Sequence, residues 1–257
     1  MNGKKGYDGL SGHRPGLIRS NALTAHMLDF VCQKLKPVDS ISKGGVNLSF
    51  RSRFAHTERV CAWGLRIMEA EGGDLGILSV ASIFHDVGYM SVGHGHAEKS
   101  VQVFRDYMKR FDGGAGCVDN YARKDSDSAG SNIDFIFDAA VRSAISSKKS
   151  INRICNVIAS HSSKDVSGVE IDLETKILMD ADMLDEAGAI AVLWDCFMET
   201  TVPGYDFESA YRRILGQYDE LGPKAESFKT NEGKRRFLEM RRYVGEFIDG
   251  LKTELNC

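Results

Sequence analysis

No stretch of the chain approaches the roughly 18 uninterrupted apolar residues that a membrane-spanning helix needs, so no membrane span is expected. The N-terminal lysines have no apolar core behind them, which argues against a secretory signal. Cysteine is sparse and scattered: the six, at 32, 61, 117, 155, 196 and 257, form no Cys-x-x-Cys pair. They read as reduced thiols of a cytoplasmic protein. Charge of one sign is also lacking. A net charge of −3 gives no electrostatic reason to bind long nucleic acid, although a small nucleotide would need only a local basic pocket. Strand-like alternation is nearly absent and no internal repeat is present. Gly44-Gly45 lacks the spacing of a phosphate-binding P-loop and reads as a turn. Trp63, Trp194 and the scattered phenylalanines show no spacing that demands base stacking, and are assigned to the core.

What is present is helical periodicity. With 257 residues and 42% hydrophobic content, the chain can bury a substantial core as one all-α domain. Residues 1–20, polar and glycine-rich, are expected to be mobile, and 21–257 to form a single helical domain. Leu23–Leu35 predicts a helix stopped by Pro37. The helix carrying His56 should end near Gly72-Gly73, and Leu75–His85 should follow, with Gly88 as a stop signal. Glu98–Phe111 predicts another helix. The segment 112–132, dense in glycine, aspartate and serine, reads as an exposed insertion, either a plain loop or a substrate-selecting lid. Helical periodicity resumes over Ile133–Ser147 and Ile151–Ser160, in one long helix Leu173–Thr200, and in Phe207–Tyr218 and Asn231–Leu255.

The most informative feature is the dipeptide His85-Asp86, which closes the apolar run Leu75–Phe84. Helical spacing places Leu75, Leu78, Ala81 and Phe84 in the core, so an imidazole and a carboxylate arrive beside buried surface. A buried carboxylate needs a partner, and a cation would supply one. The chain has only seven histidines. His56 lies in Phe54-Ala-His-Thr-Glu-Arg-Val60, His94 and His96 follow the dipeptide, and His161 ends the apolar segment beginning at Ile154. Asp180 and Asp182 interrupt Ile177-Leu-Met-Asp-Ala-Asp-Met-Leu184. Two apart on a helix, they point about 200° away from each other, so one ion cannot easily take both. One of the two therefore faces a shared site and the other a surface or supporting position.

This order, a histidine, then His-Asp, then a distant aspartate, resembles the HD-domain superfamily of metal-dependent phosphohydrolases. His56 with Arg59-Val60 is similar to the first motif, Phe84-His-Asp-Val-Gly88 to the second and Ala181-Asp-Met-Leu184 to the last. The segments Asp180-Ala-Asp-x-Leu-Asp-x-x-Gly-Ala-Ile190, Ile158-Ala-Ser-His-Ser162 and 235–247 resemble a branch of small bacterial HD hydrolases that includes nucleotide pyrophosphohydrolases. The resemblance covers roughly residues 50–255 apart from the insertion. It implies an all-α helical bundle with the metal site between core helices, and His56, His85, Asp86 and Asp182 as metal ligands.

Two imidazoles and two carboxylates suit manganese, magnesium, iron, cobalt or nickel, and zinc stays open. The resemblance further implies that His96 and His161 either hold a second metal or work beside the substrate with Asp86 as catalytic groups. Arg59, one turn after His56, is the first candidate to bind substrate phosphate. Lys164, Arg51 and Arg53 come after it, and His94 has a weaker claim. The implied reaction is hydrolysis of a phosphate ester or anhydride in a small molecule, a nucleotide above others, by metal-activated water. Many HD proteins carry lysine after His-Asp-x-Gly where this chain has Tyr89, and the glutamate of some nucleotidase members is absent. Two alternatives stay open: a binuclear-iron oxygenase of the HD-like type, and a nucleotide-binding regulator without turnover. A homodimer is also left open.

Overall fold

The computed structural model describes residues 14–39, 42–43, 46–47, 52–91, 94–112, 132–163, 170–200 and 202–255. These residues fold as an all-α bundle whose only strands are the antiparallel two-residue pair β1 (Ser42–Lys43) and β2 (Val46–Asn47). The helices are α1 (Arg14–Ser20), α2 (Ala22–Asp39), α3 (Arg53–Glu71), α4 (Leu75–Phe84), α5 (His96–Asp112), α6 (Asn132–Ser146) and α7 (Lys148–Ser160). They continue with α8 (Leu173–Asp185), α9 (Gly188–Glu199), α10 (Phe207–Leu221) and α11 (Asn231–Leu255), with short 3-10 turns at Val87–Met90 and Gly222–Ser227. Among the described residues, Cys32, Cys61, Cys155 and Cys196 form no disulfide.

The bundle is built around α4. All ten of its residues are buried, and α2, α3, α5, α6, α7 and α8 pack around it. An apolar helix of this kind has no polar face to turn to water, so neighbours must cover every side. Asp74 starts it by accepting a hydrogen bond from the Ile77 amide at 3.1 Å, and Ser52 caps α3 through the Ala55 amide in the same way. At the far end, α3 stops at Gly72, whose φ of 82° is open chiefly to glycine. Close packing also needs glycine elsewhere. A Cβ on Gly76 would lie 2.1 Å from the Ala140 carbonyl oxygen, so α4 and α6 meet at a distance no side chain permits.

Several expectations are revised. Residues 14–20, assigned to a mobile segment, form α1, because Leu17 and Ile18 are buried against the core. Pro37 does not stop α2, which runs on to Asp39. Pro37 removes one amide bond of the last turn, and burial of Leu23, Met27, Val31 and Leu35 holds the helix in spite of it. The single helix expected over Leu173–Thr200 is two, α8 and α9, broken where Gly188 adopts a φ of 70°. Gly88 is not a left-handed stop after α4. It lies in the 3-10 turn, and a Cβ there would fall 2.0 Å from the His96 carbonyl oxygen. The insertion core 113–131, the Gly44-Gly45 turn, Arg51 and Lys164 lie outside the described residues.

Candidate metal centre

Two histidines reach the site by the same local device. His85 and His161 each stand one residue beyond a helix, α4 and α7, with helical backbone angles. Each turns its Nδ1–H back to the carbonyl three residues earlier, Ser82 at 2.8 Å and Ile158 at 2.6 Å. That bond satisfies a carbonyl the ending helix leaves open, and it fixes the tautomer so that Nε2 presents a lone pair. Burial pushes His85 down to about 4, so this imidazole is neutral and able to bind a metal at neutral pH.

The remaining groups converge on these two nitrogens. Asp86, 3% exposed and at the start of the 3-10 turn, lies between two donor sets. Its Oδ2 is 3.4 Å from His56 Nε2 and 3.7 Å from His85 Nε2, and its Oδ1 is 3.3 Å from His96 Nε2 and 3.5 Å from His161 Nε2. Asp182 Oδ1 stands 3.1 Å from His56 Nε2, so it joins the first set. Within the sets, His56 and His85 Nε2 are 3.4 Å apart, and His96 and His161 Nε2 are 3.3 Å apart. Neighbouring donors bound about 2.0–2.2 Å from one ion lie roughly 2.8–3.1 Å from each other in octahedral geometry and roughly 3.3–3.6 Å in tetrahedral geometry. The observed spacings are the edges of such polyhedra, and the donor set of imidazoles and carboxylates fits a divalent metal. His56, His85 and Asp86 form one group that could hold an ion, and Asp86, His96 and His161 a second.

The electrostatics favour positive charge at this place. Burial opposes an imidazolium at His56, but hydrogen bonds with Asp182, Asp185 and Asp86 hold it well above the ordinary histidine range. Burial likewise raises the Asp86 carboxyl, yet His85, His161 and His56 bring it well below the usual carboxylate range. Asp182 also ends below that range, with burial outweighed by the His56 hydrogen bond and the nearby imidazoles.

The structure thus brings together His56, His85, Asp86, His96, His161 and Asp182. It places other predicted residues differently. Arg59 does not face the donor cluster: it makes a two-pronged contact with Asp185, Nε to Oδ1 at 2.6 Å and a terminal nitrogen to Oδ2 at 2.9 Å. Asp180 is neither at the surface nor at the metal. Fully buried, it accepts hydrogen bonds from the Lys229 and Thr230 amides and the Thr230 hydroxyl, just before α11. His94 is exposed.

Sequence reasoning assigned no role to Asp185, whose Oδ2 accepts from His56 Nδ1 at 2.7 Å. Its position one turn after Asp182 was the available signal. Tyr89, the departure from the family lysine, stacks on His96 with ring centroids 4.2 Å apart. Arg53 lies over the same ring at 4.0 Å, with its NH1 3.4 Å from Asp86 Oδ2. The two contacts are close enough that they must use opposite faces of the tyrosine.

Comparison with known proteins bears on the fold and the family. YpgQ from Bacillus subtilis, in complex with ADP, is similar at 15% identity and a TM-score of 0.54, over 93% of this chain and 96% of that one. An HD-superfamily hydrolase from Bacillus thuringiensis is similar at 17% identity and a TM-score of 0.55, over 93% and 99% of the two chains. At such identities the likeness concerns the fold. No curated protein matches the chain. The HD domain family model matches residues 53–187, from the start of α3 to just past α8, and thus every described donor named above. Since the match spans more than half of the 257 residues, the chain belongs to the HD-domain family, and its enzyme class is that of the metal-dependent phosphohydrolases.

Proposed function

We propose that this protein hydrolyses a phosphoanhydride or phosphate ester bond of a small nucleotide, with two divalent ions held on either side of Asp86. The observation that carries the reading is the carboxylate of Asp86, whose two oxygens face two separate histidine pairs. His56, His85, Asp86 and Asp182 would hold one ion, and His96, His161 and Asp86 the other. Bound there, the ions would supply Lewis acidity to a phosphoryl oxygen and make the attacking water acidic enough to ionise near neutral pH.

The chain's own groups do the rest. His85 and His161, each fixed through Nδ1 to a backbone carbonyl, keep their donor nitrogens aimed inward without rotamer freedom. Tyr89 braces His96 from one side by stacking. Asp182, a third exposed, lies at the open side of the cluster and is placed to accept the proton of the attacking water. Arg53, part-exposed and with its NH1 3.4 Å from Asp86 Oδ2, is the cation placed to neutralise substrate phosphate. The nucleotide assignment is supported by YpgQ, a relative in fold whose structure holds ADP.

The test is a phosphate and pyrophosphate release assay on metal-stripped protein, resupplied in turn with manganese, magnesium, nickel, cobalt or iron, against ADP, ATP and simple phosphate esters. Release should return with metal and fall to background in His85→Ala. Two tightly held irons, with no release under any metal but with oxygen consumption, would transfer the assignment to the oxygenase reading.

A further inference from the structure

Arg59, in the first motif, and Asp185, directly after the last, form a pair that lies outside the donor cluster. His56 and Arg59 are three apart on α3, and Asp182 and Asp185 are three apart on α8, so each helix offers two neighbouring side chains on one face. The helices lie against each other, and the pairs interlock. Asp182 meets His56 at its Nε2, whereas Asp185 reaches back to the other nitrogen, Nδ1, at 2.7 Å. Arg59 then closes on Asp185 with both prongs.

From this geometry we infer that Asp185 and Arg59 are positioning residues for the metal ligand His56, and that Arg59 does not bind substrate phosphate. The inference rests on the metal-site reading above. With His56 Nδ1–H donating to Asp185, Nε2 is the nitrogen left to coordinate an ion, and the ring cannot turn without breaking a buried hydrogen bond. Asp185 is itself held. Its side chain is 3% exposed and both of its oxygens are engaged, so its orientation is fixed by the planar guanidinium. Lysine cannot copy that contact, because a single ammonium does not span the two oxygens in parallel. The chain His56–Asp185–Arg59 therefore makes the first ligand stiffer and more basic, while the donors of Arg59 aimed at Asp185 are unavailable to a phosphate. Each of the two helices carries one residue for the ion and one to aim a ligand.

The test measures binding of manganese alone to metal-stripped protein, then KM at saturating manganese, in Asp185→Asn, Asp185→Leu, Arg59→Lys and Arg59→Gln. Asparagine keeps an acceptor of the same shape for Nδ1–H and leucine removes it, so manganese affinity should fall about tenfold in the first and toward a hundredfold in the second, the range seen when outer partners of metal ligands are removed. The Arg59 variants should lose about tenfold, with KM within about twofold of the parent at saturating metal. The cobalt-substituted visible spectrum should also change in Asp185→Leu, a response that a purely scaffolding role does not produce. Far-UV circular dichroism of the near-isosteric Asp185→Asn guards against misfolding. Unchanged manganese affinity in Asp185→Leu overturns the proposal, as does a large rise in KM with unchanged affinity in the Arg59 variants. Failure of the parent protein to bind any divalent ion would instead remove the metal-site reading, and this inference with it.

Discussion

Asp180 and Asp182 are separated by one residue and by half a turn of α8, and they should fail in opposite ways when removed. Asp180 is fully buried and serves the chain entering α11 with three acceptor contacts. Asp180→Ala strands two amides and a hydroxyl, and should lower stability by roughly 2–4 kcal/mol while metal affinity per folded molecule is largely kept. Asp182→Ala removes one oxygen donor from a partly exposed position, and should abolish tight metal binding and activity with little change in helix content. Thermal melts of metal-free protein beside manganese titrations separate the two. Equal melting temperatures for the variants would contradict the division.

The sequence supports only part of this distinction. Helical spacing correctly separates the two carboxylates by about 200°. The destination of Asp180 was illegible because its partners are about fifty residues away and two of them are backbone amides, which carry no sequence signature. Asp185 was hidden for the same reason, its bond with His56 crossing 129 positions. By contrast, His56, His85, Asp86, His96, His161 and Asp182 were named through the resemblance to the HD-domain motifs, and the scarcity of histidines and the carboxylates set in apolar sequence point to the same residues.

The elements place the second donor set through contacts made by glycine. Gly88 packs against the first turn of α5, where a Cβ would lie 2.0 Å from the His96 carbonyl oxygen and 2.9 Å from the Ser100 amide. Its own amide donates to Ser100 Oγ at 2.8 Å, so the 3-10 turn carrying Asp86 is tied to the helix that begins with His96. Gly88→Ala must push the two apart, and because His96 alone among the donors lies on α5, the set sharing Asp86, His96 and His161 should suffer first. On the proposed two-ion reading, metal analysis of that variant should give about one manganese per chain against two for the parent. Gly76→Ala, which forces α4 away from α6, should instead destabilise the bundle by about 1–3 kcal/mol or more. Its stoichiometry is expected to stay at two in the protein that folds. Retention of two ions by Gly88→Ala would detach this packing from the site. Helix existence was readable from periodicity, but the break between α8 and α9 was not: Glu186 and Ala187 are good helix formers, and only the positive φ of Gly188 marks the turn.

At the scale of the molecule, the donors come from positions far apart in the chain and from five different elements: α3, the end of α4 with its following turn, α5, the end of α7, and α8. Most of these surround one apolar core, whereas α9, α10 and α11 share a smaller cluster around Tyr211, Ile214, Val244 and Ile248. An ion bound by groups on separated elements stabilises only the state in which they are assembled, so its binding free energy adds to folding. At a hundredfold excess over the dissociation constant the gain is about 2.7 kcal/mol per site. For a chain of this length, that corresponds to a rise in melting temperature of roughly 5–10 °C. Manganese should produce such a rise for each site in the parent, and a smaller one in His85→Ala, which keeps only the set of Asp86, His96 and His161. Because Asp86 and the histidines concentrate positive-charge demand in one core, the rise should also reach beyond the site. In hydrogen exchange, amides of α4, which all the donor-bearing helices contact, should slow with metal, while those of α10, packed in the smaller cluster, should change little. Equal slowing in both would mean that the two clusters unfold as one unit.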